Sequence, residues 1–258
     1  MNRSVLLLLF IMILWTGCKQ LENEDAKISK IQDYVEEVKE TYPSYDFKRS
    51  MMFSLGDYTF SATSFFDKDN KLKLVEEVGN MGEYGNLKKR YFLKDDQLVF
   101  VGTDKRFYQG NHYIYSEEKA FLSDEGDEVL MVQKKEAPSL IDLQEQDFQT
   151  ITSKTDYSGE LSRCLNAIEQ RQEFAPQFKK VWSLRGKSFL QLGEAHEGTF
   201  EADLRIRTKD SLILMLESSP QMKGVLLDID WEYQHTNGYE EMVYKGGQVA
   251  APDEANKD

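Results

Sequence analysis

Three strand–turn–strand units follow one another between Tyr58 and Val132, and they limit what this chain can fold into more than any other feature. Tyr58 to Phe66 runs into Asp67-Lys68-Asp69-Asn70 and returns through Leu72, Leu74 and Val75. Tyr84 to Phe92 runs into Lys94-Asp95-Asp96-Gln97 and returns through Leu98 to Val101. Tyr113 to Phe121 runs into Ser123 to Asp127 and returns through Val129 to Val132. The starting tyrosines stand 26 and 29 residues apart. Apolar runs separated by acidic, turn-forming residues predict an antiparallel meander of about six strands. Three units are too few for a closed propeller and too irregular for a solenoid.

Ahead of the meander, Ile28, Ile31, Val35, Val38 and Tyr42 recur at helical spacing, with Glu36, Glu37, Lys39 and Glu40 on the opposite face. Pro43 stops that helix, whose apolar stripe needs the sheet as cover. Residues 137–178 change character. Ser139 is placed to cap a short helix, and Asp156-Tyr157-Ser158 leads into a second one bearing Leu161, Leu165 and Ile168. From Val181 strand signals return: Phe200 to Arg207 alternates apolar with charged, as does Val225 to Tyr233. Leu212 to Leu216, apolar on both sides, reads as a central strand. The predicted class is α+β and β-rich: an N-terminal helix on an antiparallel meander (27–136), a helical connector (137–178), a small C-terminal β-sandwich (179–249) and a disordered tail (250–258).

The N-terminus carries the signal for location. Arg3, an apolar run from Val5 to Trp15, and Thr16-Gly17-Cys18 are followed at once by polar, acidic sequence. The apolar run has 11 residues, against roughly 20 for a membrane-spanning helix. Small residues before a cysteine resemble the lipobox of bacterial lipoproteins, with Trp15 standing where that motif usually has an aliphatic residue. The resemblance implies a signal peptide at 1–17, lipidation of Cys18, a tether over 18–26 and attachment to a bacterial envelope membrane, the outer membrane in particular. The acidic stretch after Cys18 is similar to that of Bacteroidota lipoproteins. Glu197-Gly198-Thr199-Phe200 through Leu216, then Val225 to Ile229, resembles in style the small jelly-roll of pre-peptidase C-terminal domains and of periplasmic g-type lysozyme inhibitors.

Loss of residues 1–17 would remove only Arg3, leaving 31 basic against 45 acidic residues and a charge of −14. Such a body is a poor match for nucleic acid, whose affinity comes from Lys and Arg on phosphates. It is also repelled by anionic headgroups, so a lipid is the expected attachment. Cys164 is the only cysteine besides Cys18 and reads as a small buried hydrophobe on a helix.

Nothing in the sequence assembles a catalytic group. His112, His196 and His235 fall in turn-like stretches without a second ligand at metal-binding spacing. Gly79, Gly82 and Gly85 lack the strand-to-helix setting of a nucleotide fingerprint, and Lys71 stands where a calcium loop needs oxygen. No cofactor and no metal are expected. Phe107, Tyr108, Tyr113 and Tyr115 are candidates for an aromatic platform on a sugar or protein partner, or else a hairpin with aromatics on both faces. The expected role is a non-enzymatic binding or scaffolding module of the envelope. An inhibitor of a cell-wall hydrolase and an envelope glycan or peptide hydrolase are the alternatives.

Overall fold

A computed structural model describes residues 24–123, 126, 128–236 and 238–251. The predicted signal peptide, Cys18 and most of the predicted tail lie outside the described residues. Helix α1 occupies residues 24–41 and already includes residues 24–26, so the tether expected over 18–26 is shorter at its inner end. Its stripe of Ile28, Ile31, Val35 and Val38 is buried against Leu74, Phe92, Phe100 and Phe121 of the sheet.

Six antiparallel neighbours form the meander: β3 (Tyr58–Phe66), β4 (Leu72–Asn80), β5 (Gly85–Lys94), β6 (Gln97–Gln109), β7 (His112–Leu122) and β8 (Val129–Ala137). Asp95 and Asp96 both take left-handed backbone, φ 50° and 64°, as a two-residue hairpin turn with the twist of its strands requires. Ahead of β3, β1 (Asp46–Arg49) and β2 (Phe53–Leu55) lie along its free edge as one interrupted strand. On the far side, the short β9 (Gln149–Ile151) pairs with β8, adding a strand within the expected helical connector.

The rest of that connector is helical. In α2 (Leu140–Glu145) the Ser139 hydroxyl accepts from the Asp142 amide at 3.1 Å. In α3 (Tyr157–Glu169) the Asp156 carboxylate accepts from the Gly159 amide at 2.9 Å. Each cap satisfies an amide that the first turn leaves without a partner. Leu161, Cys164, Ala167 and Ile168 of α3 are buried in one core with Val75, Tyr91, Val101, Ala120 and Val132. The meander is therefore covered by α1 on one face and by α3 on the other, which is why strands such as Leu98–Val101 are buried on both sides.

The C-terminal unit, predicted as a small β-sandwich, consists of β10 (Phe178–Leu184), β11 (Lys187–Gly193), β12 (Glu201–Ile206), β13 (Leu227–Thr236) and β14 (Tyr239–Val249). The order is β10-β11-β12-β14-β13, with β14 parallel to β12. Gln177 bridges Leu226 just ahead of β10 and β13, so the five strands close into a ring of hydrogen-bonded neighbours. One edge of β12 is forked: β14 pairs with Arg205 and Ile206, and β2 of the meander with Glu201. The hydrogen-bonded sheet of 14 strands thus runs through both strand groups.

One element differs in kind from its prediction. Residues 212–216 belong to a helix, α4 (Ser211–Ser218), and not to a central strand. Burial follows helical spacing, with Leu212, Ile213 and Leu216 inside while Leu214 is 56% exposed. Asp210 settles the choice: its carboxylate accepts from the Ile213 amide at 3.0 Å and from the Tyr244 hydroxyl at 2.7 Å. A short apolar run does not by its pattern separate strand from helix, whereas an N-cap does.

Candidate functional site

Helix α3 is held to the meander by polar as well as apolar contacts. Strand alternation turns Glu77 inward beside Val75, and its side chain is 0% exposed. Arg163 of α3 donates to Glu77 Oε1 at 2.6 Å, the Tyr91 hydroxyl donates to Oε2 at 2.8 Å, and the Cys164 sulfur lies 3.7 Å from Oε2. Further along the helix, Glu160 accepts from Lys89 at 2.6 Å, and Tyr157 donates to Glu118 at 2.9 Å. Three side chains of α3 thereby grip β4, β5 and β7.

This setting fixes the protonation of its members. Burial, then the Glu77 carboxylate, push the Cys164 thiol well above its usual range, so it stays a thiol and is no nucleophile at neutral pH. The Tyr58 hydroxyl is pushed up to about 12 by burial and by Glu77, and Tyr157 to about 12, mainly by burial. Burial opposes the charge on Arg163, but Glu77, with smaller help from Cys164, Tyr58 and Tyr91, outweighs it and holds the guanidinium up. These groups are matched to one another, as in a structural lock, except that Arg163 Nε is buried without a hydrogen bond.

Beside the lock, the same sheet face and the start of α3 enclose a cleft of about 330 Å³. Tyr58, Met81, Leu87 and Phe107 supply apolar wall; Lys89, Lys105, Lys134, Glu118 and Glu160 supply charge of both signs; Thr103, Ser116 and Thr155 supply hydroxyls. Register explains the mixture. Lys89 is opposite Thr103, Thr103 opposite Glu118, and Glu118 opposite Lys134, so these four form one row across β5–β8. At the usual strand spacing that row is about 14 Å long. Two residues further along β6, Lys105 lies between Leu87 and Ser116. Its ammonium stands 4.8 Å over the Phe107 ring, and among the described residues it has no carboxylate partner. Glu160 is half committed: Oε1 meets Lys89, whereas Oε2 is buried without a hydrogen bond.

The four aromatics of the β6–β7 hairpin are not brought together. Register places Tyr108 opposite Tyr113 and Arg106 opposite Tyr115, on the sheet face away from the cleft, while Phe107 faces into it. Tyr108 and Tyr113 meet edge to face at 5.2 Å, and the Tyr113 hydroxyl donates to the Glu83 carbonyl at 2.7 Å. His112, His196 and His235 are exposed, and no group of three or more metal-ligating side chains occurs among the described residues. Sequence reading missed Glu77, Lys89, Glu118, Glu160 and Arg163. A signal existed for Glu77, which alternation with Val75 puts on a core-facing position where a carboxylate must find partners.

A second, smaller cleft of about 240 Å³ sits in the fork of β12, between β2 and β14. Its Asp203 accepts at Oδ1 from Trp182 Nε1 at 2.9 Å and from Gln191 Nε2 at 3.2 Å. Burial raises the Asp203 carboxyl above its usual range in spite of those two donors. A raised folded value means that the acid form suits the fold: its contribution is present below the unfolded value, about 3.9, and is lost as pH rises through the folded one. Asp203→Asn keeps the accepting oxygen without the charge. It is expected to raise the urea midpoint at pH 7, with the gain shrinking as pH falls through the carboxylate range; an equal or lower midpoint at pH 7 would contradict this.

No protein-family model, no curated protein and no solved structure matches the chain.

Proposed function

We propose that this protein is a lipid-anchored module of a bacterial envelope that binds a ligand without transforming it, and that the cleft beside α3 is its binding site. The observation that carries the reading is the contrast within one sheet face. The titratable groups next to the cleft are locked in mutual pairs, whereas Lys105, an exposed residue of its lining, has only the Phe107 ring beneath it. Catalysis calls for a base or nucleophile poised to exchange a proton. The cleft offers instead a fixed apolar wall with a few polar groups, the usual make-up of a binding pocket. Attachment through Cys18 fits a body too acidic to adhere to anionic lipid by charge.

Ligand that binds only the folded state raises thermal stability. Residues 19–258, purified without lipid, are expected to gain several degrees in Tm from one fraction of an envelope extract, and Lys105→Ala to gain much less. No shift with any fraction, or an equal shift in both proteins, would remove the cleft from consideration. In cells, Cys18→Ser is expected to move the protein from the membrane to the soluble fraction.

A further inference from the structure

We propose that the ligand of this cleft is a small zwitterion with an apolar side chain, namely a free amino acid or the end of a short peptide. The inference rests on the cleft being the binding site and adds the chemistry of what fills it. Both signs of charge are present there with capacity to spare. Lys105 is exposed and has no carboxylate partner among the described residues, so its three donors face solvent and are open to an anion. Glu160 keeps one buried oxygen without a donor, and of Glu118 only Oε1 is engaged, by Tyr157. A buried carboxylate oxygen without a partner is costly, and an incoming ammonium with three N–H groups would satisfy it.

The spacing suits one compact ligand. Lys105 is opposite Ser116, two residues from Glu118 along β7, which makes Lys105 and Glu118 diagonal neighbours about 7–8 Å apart at their backbones. A carboxylate held by Lys105 and the Ser116 hydroxyl leaves the adjoining ammonium facing the two glutamates. Leu87 and Phe107 then receive the side chain. At about 330 Å³ the cleft is near the lower end of ligand pockets, which favours one or two residues over a long chain. A simple anion would leave Glu160 unsatisfied, and a simple amine would make no use of Lys105.

Calorimetry on residues 19–258 with L-phenylalanine, the dipeptide Phe-Phe, N-acetyl-L-phenylalanine and phenethylamine tests this. Saturable binding is expected for at least one of the two zwitterions, with the acetylated and decarboxylated probes about tenfold weaker or worse, as loss of one charged hydrogen bond implies. Lys105→Ala should weaken the zwitterion about tenfold and leave phenethylamine unchanged; Glu160→Gln should weaken both. Equal binding of N-acetyl-L-phenylalanine would make this a plain anion site and overturn the proposal. Absence of zwitterion binding, while an extract fraction still stabilises the wild type and not Lys105→Ala, would overturn the ligand class and spare the cleft. Failure of both measurements would overturn the two together.

Discussion

Arg163→Met is expected to cost about 3–5 kcal/mol of folding stability, far more than the loss of a half-exposed arginine should. The cost falls on Glu77. Its side chain is completely buried, and without Arg163 it keeps the Tyr91 and Tyr58 hydroxyls and the weak Cys164 donor, none of them charged, against the penalty of a charge in the core. Adding Glu77→Gln removes that charge and preserves an oxygen for Tyr91, so the double variant should recover most of what the single one loses. Urea unfolding of the four proteins of this cycle gives the coupling directly. A loss below about 1 kcal/mol for Arg163→Met, or no recovery in the double variant, would mean that Glu77 and Arg163 do not form the lock described.

Phe174→Ala is expected to cost a similar amount, about 3–5 kcal/mol, for a different reason. The Phe174 ring lies 4.7 Å from Phe53, 5.7 Å from Phe60 and 4.9 Å from Phe200, and these come from β2, β3 and the approach to β12. One side chain from the connector thus fills the junction between the meander and the C-terminal strands. With the core shared in this way, unfolding should be a single transition before and after the change. The probes are well placed to check it. Apart from Trp15, both tryptophans, Trp182 and Trp231, lie in C-terminal strands, while circular dichroism reports all strands. Separate midpoints for fluorescence and circular dichroism in the wild type would show instead that the two groups of strands fold independently.

The parts of the fold that can be read from sequence are those determined by near neighbours. The meander announces itself because each hairpin carries its own turn, α1 because its stripe and the Pro43 stop are local, and α2 and α3 because each has its cap in the adjoining residue. Leu212 to Leu216 misled because its pattern fits either period, and the deciding Asp210 cap is a single residue. The parallel pairing of β12 with β14 and the meeting of Ser54 with Glu201 are set by distant partners, which alternation does not encode. The cleft was hidden for the same reason. Lys89, Thr103, Glu118 and Lys134 stand 14 to 16 residues apart in the chain and become a row only once the register is known. The conspicuous aromatics of the β6–β7 hairpin drew attention to one strand pair, yet alternation sends Phe107 to the opposite face from the tyrosines.

The position of α3 has a consequence for how the chain is made. Hairpins such as β5–β6 close in microseconds, but α3 begins 20 residues beyond the end of β8 and ends only at Glu169. At ordinary elongation rates the 32 residues between Ala137 and Glu169 take roughly 2–6 s to synthesise. Throughout that interval a nascent meander would present Val75, Tyr91, Val101 and Ala120 with nothing over them. A chain built in this order would gain from being kept extended, as a chaperone can keep it, until its own cover has left the ribosome.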